Sequence, residues 1–351
     1  MCKVHRILRK DQWPTHHRAG LELALRAKRP HNRQRLRFKW ADDTVRGVSA
    51  SYGRWLFWLS EQRLLDATVA PEVLVTPAWV ECYILHLEAC GNKPPTIRHR
   101  ISGLERMMAA LAPDFDRSWL SELKARYPKT GSHRDKRARI QFADQLIRFA
   151  EARCAEADRV AAYNLYRGAT ICRTALKIIM LSYCPMRLKN LASLRVGCEG
   201  AEVVFRDGRW QFDIPAIATK KGNEYNPVLP DRVVKMLEHY LERHRPVLAG
   251  PNYAGHALWV TKGGRPQTQS SIRYYISTET KKQFGCGMSP HLFRDAVTTT
   301  VVKYMPERYR IALSLLGNRD LATIDIHYNH AQRVMAEARY YDVLDGFEDG
   351  A

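Results

Sequence analysis

The chain has 351 residues, an ordinary apolar content of 45% and a formal charge of +20, from 56 Lys and Arg against 36 Asp and Glu. That length allows two domains with real cores, and that charge exceeds what solubility asks, so the expected partner is a polyanion, nucleic acid first. No apolar run approaches the roughly 20 residues of a membrane span, and the basic N-terminus lacks the apolar core of a signal peptide. Eight cysteines (Cys2, Cys82, Cys90, Cys154, Cys172, Cys184, Cys198, Cys286) are scattered without a C-x-x-C. The pattern predicts free thiols in a reducing cytoplasm, with no disulfide framework, no zinc site and no membrane association.

In chain order, residues 1–46 are the most basic segment, with thirteen Lys and Arg against four Asp and Glu. They read as an N-terminal arm, or a short helix plus arm, lying on phosphates. Residues 47–126 read as a small helical domain. SYGRWLFWLSEQRLL opens it, Thr76 and Pro77 start a second helix closed by Gly91, and Pro94, Pro95 and Thr96 start a third. Ile97, Ile101, Leu104, Met108 and Leu111 form one stripe of that third helix. Arg98, Arg100 and Arg106 lie off the stripe and are the expected backbone contacts of this domain. Residues 127–139, YPKTGSHRDKRAR, read as a basic linker whose Lys136 and Arg137 face DNA.

From residue 140 to 351 the chain reads as a second domain. IQFADQLIRFAEA and YRGATICRTALKIIMLSYC are helices, the second ending at Pro185, with Arg187 in the turn that follows and LKNLASL helical again. EVVF, RWQFDIPA and YNPVL read as three short strands, joined by an Asp207-Gly208 hairpin turn and a turn at KKGN that carries Lys220 and Lys221. Residues 231–245 form a helix with Val234, Leu237 and Leu241 inward. LWVTKGGRP is a strand and turn, and SSIRYYIS a helix. Ser289 reads as an N-cap and Pro290 as the first residue of a helix that puts His291 and Arg294 on one face of its first turn, a setting suited to an anion. Tyr328 follows in HYNHA, and residues from His330 form a last helix.

An arginine, a lysine in a β-turn, His-x-x-Arg and a late tyrosine, in that order, resemble the tyrosine recombinase (phage integrase) family over the chain from about residue 50. The resemblance implies a mainly α fold with a small antiparallel β-sheet, made of a helical core-DNA-binding domain and an α+β catalytic domain. It implies a site-specific recombinase of a mobile element, cutting and rejoining double-stranded DNA without a cofactor. Arg187 and Arg294 would clamp the scissile phosphate, Lys220 would protonate the leaving oxygen, His291 would assist proton transfer, and Tyr328 would form a 3′-phosphotyrosyl bond. Lys221, beside Lys220, would contact DNA. Asn318 stands where the family usually has His or Trp, keeping an amide donor but no charge. The implied assembly is a homotetramer on two DNA sites, with related recombinases or accessory proteins as further partners and the nucleoid as its place. Two other readings stay open: a type IB topoisomerase-like relaxing enzyme, and a DNA-binding accessory protein that no longer cuts. His327 and His330 lack a third ligand and make no metal site.

Overall fold

His17, Leu21 and Ala24 recur at three- and four-residue spacing, and the basic segment around them folds as helix α1, Thr15–Arg26, with those three side chains buried. This is a computed structural model, and it describes residues 6–29, 32–36, 38–128, 139–219, 222–305 and 311. The chain divides into two units, Met1–Arg134 and Asp135–Ala351.

In the first unit, α1 is followed by a short antiparallel pair, β1 (Lys28–Arg29) and β2 (Asn32–Leu36). Helix α2, Asp42–Glu61, starts five residues earlier than the helical domain read from the sequence and buries Tyr52, Trp55, Leu56 and Leu59. Helix α3, Pro77–Ala89, is capped as expected: the Thr76 hydroxyl accepts the Trp79 N–H at 3.3 Å, and Gly91 follows its C-terminus at φ 74°. Helix α4, Pro94–Leu111, buries Ile97, Ile101, Leu104 and Met108, and α5, Ser118–Ala125, adds Leu120 and Leu123. Trp13 and Leu21 belong to this same core, so the N-terminal basic stretch supplies core residues as well as charge. Charge content hid that role, since the apolar positions are few but correctly spaced.

Among the described residues, Cys82, Cys154, Cys172, Cys184, Cys198 and Cys286 are free, but Cys90 is disulfide-bonded. That departs from the expectation of free thiols throughout.

The second unit is built around α7, Leu165–Tyr183, in which every residue from Cys172 to Ser182 is buried. It packs against α6, Ala143–Ala161, at close range: a Cβ on Gly168 would come within 2.6 Å of the Ala157 carbonyl oxygen. Lys177 is fully buried in this helix, with Nζ donating to the Arg173 carbonyl at 3.1 Å and sitting 4.2 Å from the Trp259 ring centre. Helix α8 spans Leu188–Ser193.

Strands β3 (Val203–Arg206) and β4 (Arg209–Phe212) pair antiparallel through the Asp207-Gly208 turn. Both turn residues take positive φ, 53° and 74°, as a type I′ turn requires. The third expected strand joins only by isolated bridges, Gln211 to Val228 and Ile214 to Tyr225, so the sheet is narrower than the alternation suggested. The helix read over 231–245 divides into α9, Asp231–His239, a π-helical turn, Tyr240–His244, and α10, Arg245–Ala249. Its inward face is led by Val233, Leu237 and Tyr240, while Val234 and Leu241 are half-buried. Helix α11 spans Gln269–Phe284 and α12 spans Leu292–Tyr304. The Ala143 N–H donates to Thr300 Oγ1 at 2.8 Å and ties α12 to the start of α6. The described residues are predominantly helical with small antiparallel pairs, the fold class expected.

Candidate functional site

Arg187 is positioned by the end of α7. Cys184 terminates that helix, Pro185 cannot continue it, and Arg187 takes an extended conformation (φ −72°, ψ 147°) as the N-cap of α8. It is half-buried. Arg294 arrives 107 residues later in sequence, on the first turn of α12. It is only 8% exposed, and its Nη1 donates to the Pro185 carbonyl at 2.5 Å. One guanidinium is thereby fastened to the turn that presents the other.

The electrostatics match. Burial, and then the nearby positive charge of Arg187, push the Arg294 pKa down, while Tyr225 and Asp295 act the other way. Two like charges held together in a partly desolvated place repel, and an anion between them would relieve that repulsion.

Helix α12 begins two residues later than expected. Ser289 and Pro290 form a turn closed by the Leu292 N–H to the Ser289 carbonyl at 2.9 Å, and His291 is the N-cap. His291 is exposed whereas Arg294 is buried, so the pair shares a helix end but divides between surface and interior. The positive end of the helix dipole still faces the same end.

Sequence reading missed Tyr225. It is bridged to Ile214, packs against Phe212 with rings 6.4 Å apart, and interacts with Cys184 and Arg294. Burial first, then the neighbouring Cys184, raises its pKa, so it stays a neutral phenol. Burial likewise pushes the Cys184 thiol up to about 12. Tyr225 thus links the hairpin to Arg294 and to Cys184 at the end of α7. Its only signal in the sequence was position, two residues after the KKGN turn.

Lys220 and Lys221 lie outside the described residues. The flanks of their turn are held by Thr219, whose hydroxyl donates to the Asn223 carbonyl at 2.8 Å and accepts the Asn223 N–H at 3.1 Å. Lys136, Arg137, Asn318, Tyr328, His327, His330 and the last helix also lie outside the described residues.

In the first unit, the three arginines read as backbone contacts differ from one another. Arg98 donates to the carbonyls of Lys124 (2.5 Å) and Tyr127 (2.7 Å), which holds the end of α5 against α4. Arg106 is exposed and lies over the Trp40 ring at 5.3 Å. Arg100 is half-buried beside Arg54, and burial with that like charge lowers its pKa. The same positive group acts on His99, whose pKa is lowered by burial and then by Arg100, Arg54 and Arg106. Arg54 was not singled out in the sequence because it sits on α2, forty-six positions from Arg100. Its Nε is buried without a hydrogen-bond partner. Arg54, Arg100 and Arg106 therefore concentrate positive charge on one side of this unit.

No family model matches the chain, and no curated protein does either. Among solved structures it is similar to XerA recombinase, at 15% identity over 86% of this chain and 93% of that chain, with a TM-score of 0.38. It is also similar to the Tn1549 transposon integrase solved in complex with transposon right end DNA, at 14% identity over 86% of this chain and 95% of that chain, with a TM-score of 0.45.

Proposed function

We propose that this protein is a site-specific DNA recombinase that cuts and rejoins one DNA strand through a phosphotyrosyl bond at Tyr328. The observation that carries the reading is the fastening of Arg294 to the Pro185 carbonyl beside Arg187. Two guanidiniums 107 residues apart in sequence form one cationic place at a helix start, the place a phosphodiester needs.

The Tyr328 phenol, with an ordinary pKa near 10, attacks the phosphorus while His291 assists removal of its proton. The bond to the 5′ oxygen breaks, and Lys220 gives that oxygen a proton. Arg187 and Arg294 counter the charge that builds on the non-bridging oxygens, and the Asn318 amide donates one further hydrogen bond. The 3′-phosphotyrosyl bond keeps the energy of the broken one, so attack by a 5′ hydroxyl rejoins DNA without a nucleotide cofactor. Arg54, Arg100, Arg106, Lys136, Arg137 and Lys221 hold the duplex by its backbone, and two duplexes are joined in a homotetramer.

The test uses supercoiled plasmids that carry the DNA flanking this gene, with scrambled DNA as the control. After denaturation, protein should remain covalently attached to the flanking DNA and not to the control. The Tyr328→Phe variant should bind the same DNA and leave no adduct. Binding without an adduct by the native protein would favour a non-cutting accessory role. Adduct on both DNAs alike would favour a relaxing enzyme without site preference.

A further inference from the structure

Asp158, His239 and His244 bring three donor atoms to one point in the second unit. Asp158 Oδ1 lies 2.8 Å from His239 Nε2 and 3.1 Å from His244 Nε2, and the two imidazole nitrogens are 3.2 Å apart. We propose that these three residues form a binding site for a divalent transition metal of the zinc type, which staples α9 and the π-helical turn to α6.

Three arguments support it. The first is proton count. Three mutual contacts cannot all be hydrogen bonds between one carboxylate oxygen and two imidazole nitrogens. If both nitrogens carry protons toward Oδ1, the nitrogen–nitrogen edge sets two N–H groups side by side. If only one carries a proton, the edge between the bare nitrogen and Oδ1 sets lone pairs against each other. A cation at the centre satisfies all three donors at once.

The second is distance. Metal–nitrogen and metal–oxygen bonds of about 2.0–2.2 Å at tetrahedral angles separate their donors by roughly 3.3–3.5 Å. The two edges at His244 need to open by a few tenths of an ångström and the Asp158–His239 edge by about 0.5–0.7 Å. Two imidazoles and one carboxylate suit zinc better than magnesium or calcium. Asp158 is 46% exposed in its side chain while His244 is 4% exposed, so the triangle is anchored on its inner side and open to water for a fourth ligand on its outer side.

The third is the backbone. On an α-helix, positions five apart diverge by about 140°. The π-helical turn Tyr240–His244, in which the Arg245 N–H bonds back to Tyr240, rotates His244 toward His239 and sets their ring centres 5.0 Å apart. Such turns cost regular helix geometry and recur at functional sites. The same two helices are joined again nearby: Arg232 makes a two-pronged ion pair with Glu151, both bonds 2.7 Å, two helical turns before the His239–Asp158 contact and at the same sequence offset. Cysteine spacing pointed away from zinc because none of these ligands is a cysteine.

The test uses the full chain, free of any affinity tag, stripped with a chelator and titrated with Co²⁺ and then Zn²⁺. One equivalent of Co²⁺ should bind with the ligand-field spectrum of a tetrahedral nitrogen–oxygen site and no thiolate charge-transfer band, and Zn²⁺ should displace it. Excess Zn²⁺ should raise Tm by about 5 °C or more. His239→Ala and Asp158→Asn change groups that reach the surface. Each should keep the native far-UV spectrum, weaken binding by about 100-fold and abolish the Tm shift. His16→Ala, in the other unit, should bind as the native protein does. No stoichiometric binding, a thiolate band, or unchanged affinity in both ligand variants would overturn the proposal.

Discussion

Arg294→Gln separates charge from fold at the centre of the candidate site. The side chain is 8% exposed and donates to the Pro185 carbonyl, so the substitution leaves that oxygen short of a donor, at a cost of about 1–3 kcal/mol. Against this, the native guanidinium is desolvated and repelled by Arg187, and its removal relieves both effects. Desolvation of a charge in a real protein amounts to several kcal/mol, so the two contributions are of similar size and the net change in stability should be within about 2 kcal/mol. The reaction has no such compensation. Loss of one preorganised donor to a charge developing in the transition state costs about 2.7–4 kcal/mol, or roughly 10²–10³ in rate. Adduct formation on a nicked duplex bearing the flanking DNA, followed in single turnover, should slow by that factor while the urea midpoint moves little. Arg187→Gln should slow the reaction similarly, and the double variant should lose less than the product of the two. A native rate in Arg294→Gln, or a rate loss wholly explained by unfolding, would refute the assignment.

Other outcomes follow from contacts elsewhere. His17 donates from Nε2 to the Val69 carbonyl and accepts the Tyr52 hydroxyl at Nδ1, an arrangement that needs the neutral ring; burial holds its pKa at about 4. Because the folded pKa lies below the unfolded 6.5, this stabilisation, up to about 3 kcal/mol, is complete above pH 6.5 and lost as pH falls through 4. Urea unfolding of the first unit, read by tryptophan fluorescence, should show that loss, and it should be absent in His17→Gln. Gly168→Ala should destabilise the second unit by about 1–3 kcal/mol in thermal unfolding, since its methyl meets the Ala157 carbonyl at 2.6 Å. Arg100→Ala should lower the slope of log K against log salt for duplex binding by about 1, whereas Arg98→Ala should lower stability and leave the slope alone.

Much of the architecture could be read from residue spacing alone. The stripe on α4, the Thr76 cap, the break at Pro185 and the Asp207-Gly208 turn are local features, decided by neighbours within a few positions. What escaped depends on distant partners. Arg98 looked like a free surface cation because its two carbonyl acceptors lie 26 and 29 residues away. The buried role of α1 was hidden by its basic composition, although His17, Leu21 and Ala24 carried the helical period. The π-helical turn has no compositional mark, and Asp158 meets His239 across 81 positions. In the candidate site, the ordered motifs singled out Arg187 and Arg294, but only the fold discloses that the Pro185 carbonyl fastens Arg294 and that Tyr225 lies beside it.

The most direct measurement is to trap the covalent complex on flanking DNA, digest it, and locate the nucleotide-bearing peptide by mass spectrometry. The account predicts a single modified residue, Tyr328, in the peptide that contains HYNHA. A DNA link at any other tyrosine, or a native protein that binds this DNA tightly and never becomes attached to it, would contradict the account.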